Sequence, residues 1–546
     1  MKDTVFYHEG KPFFTIGAQA HNSSGYALEE LEPVWRACRL MEVNTCAIAV
    51  SWERFEPREG VYDKEIVRSI IRACRGHGLK LVLLWFGTWK NGHMKYAPEW
   101  VKTDRRRFWR VLTHDGYEIA NLSSFCEETQ KADARAFCRL MEAVREEDAQ
   151  EKTVLAVQIE NELGIVGRSV RDYGAAAQAE YEAQVPQEVV EHLKTGADSE
   201  QAVQDWKACG AREKGSWREL FGRRGDELLQ AYSMARCVDR IAAAGKAVYP
   251  LPMYTNVWLD IQSGFGVPGT DYPSGEAVIR NLAFWRWFAP HLDMICPDLY
   301  IQEASRYMTA ARAYSRADNP LYIPETGTSM ASAIGVFRAI AECGLTGVHF
   351  FGAESVLDQN GELAESAKPM HEDFQCLNAV LPLLTKYRGS GRIHAVIQEE
   401  FASEQTLHLD GWEAIARFGP FARGGDYRHR AARPTTGRGR GLAIQTGENE
   451  FYICGIAFSL AFRSNPPLWV WKAPQQDYQQ EHFLDYLHVE EGRFGPDGNW
   501  ICERIRNGDE TDFGVYVFPD NGAVRVVLDG ENGREAAKKR LTERQG

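Results

Sequence analysis

The stretch TVLAVQIENELG, residues Thr153–Gly164, decides the fold class of this chain. It is an apolar run of strand length, rich in β-branched residues, that stops at acidic and polar residues. A second stretch, PLYIPETGTS at Pro320–Ser329, has the same design. In a parallel (β/α) barrel, the residues just past the strand ends face the active site. We therefore expect Glu162 and Glu325 to meet at one end of such a barrel.

Apolar runs of strand length alternate with helical patterns through about residue 375. Eight β-then-α units of this kind predict an α/β fold, a closed (β/α)8 TIM barrel. A doubly wound open sheet is the alternative, but no GxGxxG sequence follows any of the runs. The predicted strands are Phe13–Gln19, Asn44–Ser51, Leu79–Phe86, Thr153–Glu160, Ala247–Thr255, Met294–Tyr300, Leu321–Glu325 and Gly347–Gly352.

The length of 546 residues suits one large barrel and an accessory domain. We predict that residues 1–380 form the barrel, with a helical insertion at about 167–245. An extended outer helix layer is the alternative for that insertion. Residues 381–546 are predicted to form a β-sandwich, because short alternating runs are separated there by Gly, Asn, Asp and Pro. The arginine-rich stretch Ala422–Gly441 is predicted to be a loop of this domain.

Composition and charge exclude several classes of function. A net charge of −13 argues against a nucleic-acid partner, which needs a basic face. The apolar run Leu81–Phe86 is too short to cross a membrane, and the N-terminus lacks the apolar region of a signal peptide, so we expect a cytoplasmic protein. Twelve scattered cysteines without a CxxC pair indicate reduced thiols. With no HExxH, EF-hand or phosphate-loop motif, the sequence implies no metal and no cofactor.

Two carboxylates at strand ends are the machinery that breaks a glycosidic bond. Glu162 is predicted to be the general acid and then the general base, and Glu325 the nucleophile. Asn161 is placed to hydrogen-bond the sugar 2-hydroxyl, and Tyr300 to donate to Glu325. Glu160 is a competing candidate for the acid, because two residues apart on a regular strand point to the same side.

Further candidate sugar contacts lie in the loops that follow the first and third strands. Gln19 and His21 follow the first strand, and Trp89, Lys90 and Asn91 follow the third. A structural role is the alternative for the histidine, and a solvated loop position is the alternative for Lys90 and Asn91.

Several motifs resemble those of known glycoside hydrolases. VQIENELG and IPETG resemble the acid/base and nucleophile motifs of glycoside hydrolase family 35, the β-galactosidases. The loop WFGTWKNG and the tail GRGLAIQTGENEFYICGIAF are similar to a divergent bacterial branch of that family with an all-β C-terminal domain. This loop departs from the usual family pattern, which ends in Cys-Ala-Glu-Trp and binds galactose through its Glu. The second predicted strand and the stretch after it resemble the second-strand signature of glycoside hydrolase clan A. The matching residues are Asn44-Thr45, Trp52, Glu56-Pro57, Gly60 and Tyr62-Asp63.

The resemblance implies a retaining enzyme that removes terminal β-D-galactosyl residues from a carbohydrate by double displacement. The same mechanism on a β-glucoside, β-mannoside or arabinopyranoside is an alternative, since clan-level residues do not select the sugar. A barrel that binds carbohydrate without catalysis is a further alternative. The presence of both Glu162 and Glu325 argues against it. The oligomeric state stays open, with a homodimer among the alternatives.

Overall fold

A computed structural model describes residues 6–262, 264–419, 437–464, 486–495, 497–511, 516–519 and 522–529. The chain divides into two compact units, one of residues 1–327 and 347–364 and the other of residues 328–346 and 365–546. The predicted division at residue 380 stays a prediction. Residues 422–436 of the predicted arginine-rich loop lie outside the described residues.

The first unit contains a sheet of seven parallel strands. Each strand pairs with its neighbour in chain order, and the last strand pairs with the first. These are the first to sixth and the eighth of the predicted barrel strands, so we keep those ordinal names. In chain order the strands are Thr15–Gln19, Thr45–Ser51, Lys80–Lys90, Val154–Asn161, Met253–Val257, Met294–Pro297 and Gly347–Phe351.

The seventh predicted strand closes the ring without forming a regular strand. Ile323 bridges Val348 of the last strand, and Thr326 bridges Leu299 after the sixth. The backbone N–H of Leu299 donates to the carbonyl of Glu325 at 2.9 Å. Pro324 has no N–H to donate to a ladder, which explains why the pairing here is broken into isolated bridges. The prediction of a (β/α)8 barrel is confirmed.

Helices alternate with these strands. The helix Lys64–Gly76, for example, begins where the side chain of Asp63 accepts the N–H of Ile66, and its apolar face is buried. The segment predicted as an insertion is helical, and its last helix extends to Val248, which shortens the predicted fifth strand. The helices of this unit are Glu32–Leu40, Trp52–Phe55, Lys64–Gly76, Glu99–Thr103, Glu127–Asp148, Ala175–Glu182, Gln187–Thr195, Gln201–Ala208, Trp217–Phe221, Gly225–Val248, Leu282–Phe288 and Ala304–Tyr314.

In its described residues, the second unit contains two antiparallel sheets and three α-helices, Met330–Cys343, Lys368–Ala379 and Leu381–Tyr387. Both sheets contribute to one hydrophobic core, which confirms the all-β prediction for the tail. In strand Trp412–Phe418, for example, every second side chain is buried, because alternate side chains of a strand point to the core face of the sheet. The six-stranded sheet has the order Ile393–Ile397, Arg440–Gln445, Glu450–Ile456, Ala523–Leu528, Tyr486–Phe494, Trp500–Ile505, and the other the order Glu404–Leu409, Trp412–Phe418, Phe458–Ser464.

A buried ion pair in the second unit supports a stability prediction. Arg440 and Asp373 are both 0% exposed, and Nε of the arginine donates to Oδ1 of the aspartate at 2.6 Å. We expect Arg440→Met to lower the free energy of unfolding by about 3–5 kcal/mol, because Asp373 would stay buried without its cation. Calorimetry should detect the loss as a lower melting temperature. The matched control is the double variant with Asp373→Leu, which should recover most of the loss; equal loss in both variants would contradict the argument.

Two predictions about the chain as a whole can be compared with the structure. All twelve cysteines are free thiols, and most of them are buried, as their positions in apolar runs predicted. In the described part of the chain, none of the helices combines the length and the apolar content that a membrane span requires.

Candidate active site

Glu162 and Glu325 come together at the carboxyl ends of the barrel strands. Glu162 directly follows the fourth strand, and Glu325 lies in the segment that closes the ring. Both side chains are buried, with 7% and 4% of their surface exposed. One carboxyl oxygen of each, together with one from Asp298, lies within 4.8 Å of the others. The two residues are 163 positions apart in sequence, and the barrel topology alone brings them together.

Four donors converge on the carboxyl group of Glu325. Oε1 accepts from the side-chain amides of Gln19 at 2.8 Å, Asn161 at 3.2 Å and Asn256 at 3.3 Å. Oε2 accepts from the hydroxyl of Tyr300 at 2.9 Å. Burial and the neighbouring Glu325 raise the pKa of the Tyr300 phenol, which keeps its proton available for donation. Four donors on one carboxyl group stabilise its ionised form.

Glu162 has a different environment. Its carboxyl group accepts from the side-chain amide of Asn91, and its backbone N–H donates to Oδ1 of Asn256 at 3.1 Å. Burial, followed by the nearby Glu325 carboxylate, raises the pKa of Glu162 to about 7, and Lys90 opposes this shift. The two glutamates therefore have different surroundings, with a raised pKa for Glu162 and four hydrogen-bond donors around Glu325.

The end of the third strand supplies part of this network. The strand continues to Lys90, four residues beyond its predicted end, and Asn91 follows with a positive φ of 51°. Nζ of Lys90 donates to Oδ1 of Asn161 at 2.6 Å, while the side chain of Asn91 reaches Glu162. Lys90 and Asn91 thus contact Asn161 and Glu162, respectively.

Two predicted contact residues lie outside this hydrogen-bond network. Trp89 is buried, and its indole N–H donates to Asn121 and to the carbonyl of Leu122. The ring of His21 contacts Phe351 edge-on, and its Nε2 lies 2.7 Å from the hydroxyl of Ser355. Their roles as sugar contacts stay predictions.

Glu160 does not point to the same side as Glu162. Its carboxyl group accepts from the backbone N–H groups of Thr88 and Trp89 at 3.0 and 2.7 Å, and faces Asp133 of the helix Glu127–Asp148. Both Glu160 and Glu162 have a positive φ, 60° and 41°, which breaks the alternation of a regular strand. The pKa of Glu160 is raised by burial and by the neighbouring Asp133. This glutamate therefore joins the third strand to the fourth.

The second-strand signature has a structural role. The indole N–H of Trp52 donates to Glu56 at 2.7 Å, and the backbone N–H of Gly60 donates to the same carboxyl group, also at 2.7 Å. Asp63 caps the following helix and pairs with Arg54. These residues fix the loop and the helix after the second strand.

Three polar residues of the site were not singled out from the sequence. Asn256, at the end of the fifth strand, contacts Glu162, Asp298 and Glu325. Asp298 follows the sixth strand, and the buried Glu276 lies close enough to Glu162 for the two charges to interact. Asn256 and Asp298 were detectable as polar residues at strand ends, whereas Glu276 lies in a loop without any such signal.

The oxygens of Glu162, Asp298 and Glu325 are close enough to one another to hold a metal ion. The contacts around them are those of hydrogen bonding, because amide and hydroxyl donors are directed at Glu325. The arrangement is suited to proton transfer and to nucleophilic attack by a carboxylate.

Comparison with protein families finds two matches. A family model described as Beta-galactosidase, Glyco_hydro_42, matches residues 26–194, which include Asn161 and Glu162. A second, described as Domain of unknown function (DUF5597), matches residues 370–518. The comparison with curated proteins finds no match. The first match supports a clan A glycoside hydrolase and favours family 42 over the family 35 expected from the sequence.

Solved structures also resemble the chain. The catalytic domain of β-amylase from Paenibacillus polymyxa is 13% identical over 66% of this chain and 97% of that chain, with a TM-score of 0.48. The β-galactosidase from Marinomonas ef1 is 13% identical, over 67% of this chain and 60% of that chain, with a TM-score of 0.46. The β-galactosidase from Bacillus circulans sp. alkalophilus is 15% identical, over 68% and 57%, with a TM-score of 0.47. The chain spans 60% and 57% of the length of these two β-galactosidases. The family 42 match over residues 26–194, which include the fourth strand and Glu162, supports a glycoside hydrolase.

Proposed function

We propose that the chain is a retaining exo-β-galactosidase in which Glu325 is the nucleophile and Glu162 the general acid and base. The observation that carries this proposal is the proximity of their carboxyl oxygens, within 4.8 Å of one another. Retaining enzymes hold the two carboxyl groups about 5–5.5 Å apart, whereas inverting enzymes leave about 6.5–9.5 Å for a water molecule. The barrel would be the catalytic domain, and residues 381–546 an accessory domain.

In the first step, Glu162 gives its proton to the glycosidic oxygen while Glu325 attacks the anomeric carbon. The bond to the leaving group breaks as the ester to Glu325 forms. In the second step, Glu162 takes a proton from water, which attacks the same carbon and releases Glu325. The raised pKa of Glu162 and the four donors around Glu325 support this division of roles.

The choice of galactose rests on the description of the family model that matches residues 26–194. The same two carboxyl groups would serve a β-glucoside, a β-mannoside or an arabinopyranoside equally well, because the orientation of O4 does not enter the chemistry at the anomeric carbon. A barrel that binds carbohydrate without catalysis is disfavoured, since such a protein has no need of one protonated and one ionised carboxyl group side by side.

A panel of nitrophenyl glycosides tests the proposal. The β-galactoside should be hydrolysed with the highest kcat/KM, and proton NMR should show the β-anomer of the sugar as the first product. A higher kcat/KM on another β-glycoside would change the proposed substrate but not the proposed mechanism. An α-anomer formed first would contradict the retaining mechanism, and inactivity on every glycoside would contradict the proposed function.

Asn161 leads to a prediction about recognition of the 2-hydroxyl. Its Nδ2 lies 3.2 Å from Glu325, beside the predicted position of the anomeric carbon. We expect Asn161→Ala to lower kcat/KM about 100-fold on the normal glycoside and only a few-fold on the 2-deoxy glycoside. The reason is that a hydrogen bond made mainly in the transition state is lost once, whichever partner is deleted.

Asn91→Ala is the matched control for this prediction. Asn91 contacts Glu162 and not Glu325, so its loss should lower kcat/KM on both glycosides by the same factor. Equal losses on the two substrates with Asn161→Ala would mean that Asn161 only supports the end of the strand.

A further inference from the structure

Asp298 is a third carboxyl group in the site, and its two oxygens have unequal surroundings. The residue is completely buried. Oδ2 accepts from Nδ2 of Asn256 at 2.6 Å. Oδ1 is also buried, and among the residues that the structure describes none directs an N–H or O–H donor at it within hydrogen-bond distance. A buried carboxylate oxygen without a donor is costly, and a proton on that oxygen removes the cost.

The neighbours of Asp298 make ionisation more costly still. One oxygen of Asp298 lies within 4.8 Å of one oxygen each of Glu162 and Glu325, and the charge of Glu276 also acts on Asp298. The ammonium group of Lys90 acts on Glu162, but one positive charge cannot balance four buried carboxylates. Glu325 accepts hydrogen bonds from four donors, whereas no donor of the described residues reaches Oδ1 of Asp298. Burial, followed by Glu325 and Glu162, raises the pKa of Asp298 well above its ordinary value.

We propose that Asp298 is a neutral carboxylic acid whose Oδ1–H donates a hydrogen bond to the carboxyl group of Glu162, and that this makes it a positioning residue for the general acid. The proposal rests on the proposed function. It assigns Asp298 a role that neither Tyr300 nor Asn161 can fill, since both of these donate to Glu325.

The Asp298 proton stays on Oδ1 throughout the reaction. Glu162 gives its own proton to the leaving oxygen and becomes a carboxylate, which the Asp298 O–H then stabilises. Water returns a proton to Glu162 in the second step. Without the donor, Glu162 would hold its proton more tightly, and so Asp298 tunes the acid without touching the sugar.

The pH dependence of kcat/KM tests the proposed hydrogen bond from Asp298 to Glu162. In the wild type, activity should fall as the pH rises through about 7, where Glu162 loses its proton. Asp298→Ala removes the donor and should move this alkaline limb upward by about one unit. Asp298→Asn supplies an amide donor in the same place and should leave the limb at its wild-type position. An ionised Asp298 predicts the opposite for Asp298→Asn, a limb about one unit lower, because a negative charge would be removed.

Infrared spectroscopy tests the same point without substrate. At a pH at which Glu162 has lost its proton, the difference spectrum between the wild type and Asp298→Asn should contain the carbonyl band of one protonated carboxyl group. Absence of this band, a lowered limb in Asp298→Asn, or an unmoved limb in Asp298→Ala would each overturn the proposal. Failure of the wild type on every glycoside would contradict the proposed function alone, because the infrared band would still report the proton on Asp298.

Discussion

Glu325→Ala should lower kcat for hydrolysis of an aryl β-galactoside by at least about 10⁵-fold, because the covalent step loses its proposed nucleophile. The variant leaves the donors of Gln19, Asn256 and Tyr300 around an empty space. A small anion can enter that space, so added azide should restore part of the activity. Azide would attack from the face that Glu325 occupied, and the product should be the α-glycosyl azide.

Kinetics with and without azide, and NMR of the product, check this result. Glu325→Gln is a useful companion variant, since it keeps the size of the side chain and removes its nucleophilicity. It should be as inactive as Glu325→Ala but resist rescue, because the amide fills the space. A β-glycosyl azide from Glu325→Ala, or a loss of less than about 100-fold, would assign the nucleophile elsewhere.

Glu162→Gln should cause the second large loss of activity, and the size of this loss should depend on the leaving group of the substrate. We expect kcat/KM to fall by about 10²–10⁴-fold on glycosides with poor leaving groups, which need a proton to depart. Dinitrophenyl glycosides leave without a proton and should lose little. The alkaline limb of the pH profile should also disappear, since the group that titrates at about 7 is gone.

Glu160→Gln is the matched control for Glu162→Gln. Glu160 lies two positions before Glu162, inside the fourth strand, and accepts from backbone N–H groups of the third strand. Its loss should change kcat/KM by the same factor for all leaving groups. Leaving-group dependence in Glu160→Gln, and not in Glu162→Gln, would show that the acid is misassigned.

Periodicity and the spacing of strands were enough to predict the barrel. Seven of the eight predicted strands are present, and the remaining one, the seventh in chain order around Ile323, closes the ring through isolated bridges. The predicted ends of strands were less accurate where the residues fit a helix or a strand equally well. The helix that extends to Val248 continues into the predicted fifth strand, and the third strand runs on to Lys90. Ala-rich and apolar residues there fit either structure, so only packing decides.

Glu162 and Glu325, with Asn161 and Tyr300 beside them, were predictable from the sequence as residues at strand ends, because each signal is local to one strand. The tertiary structure decided what each carboxyl group contacts. A positive φ at Glu160 directs that residue to Asp133, and the order of the strands brings Asn256 and Asp298 to Glu162 and Glu325. Such contacts join residues distant in sequence, and the protonation of a buried carboxyl group depends on every charge and donor around it, which no single stretch of sequence contains.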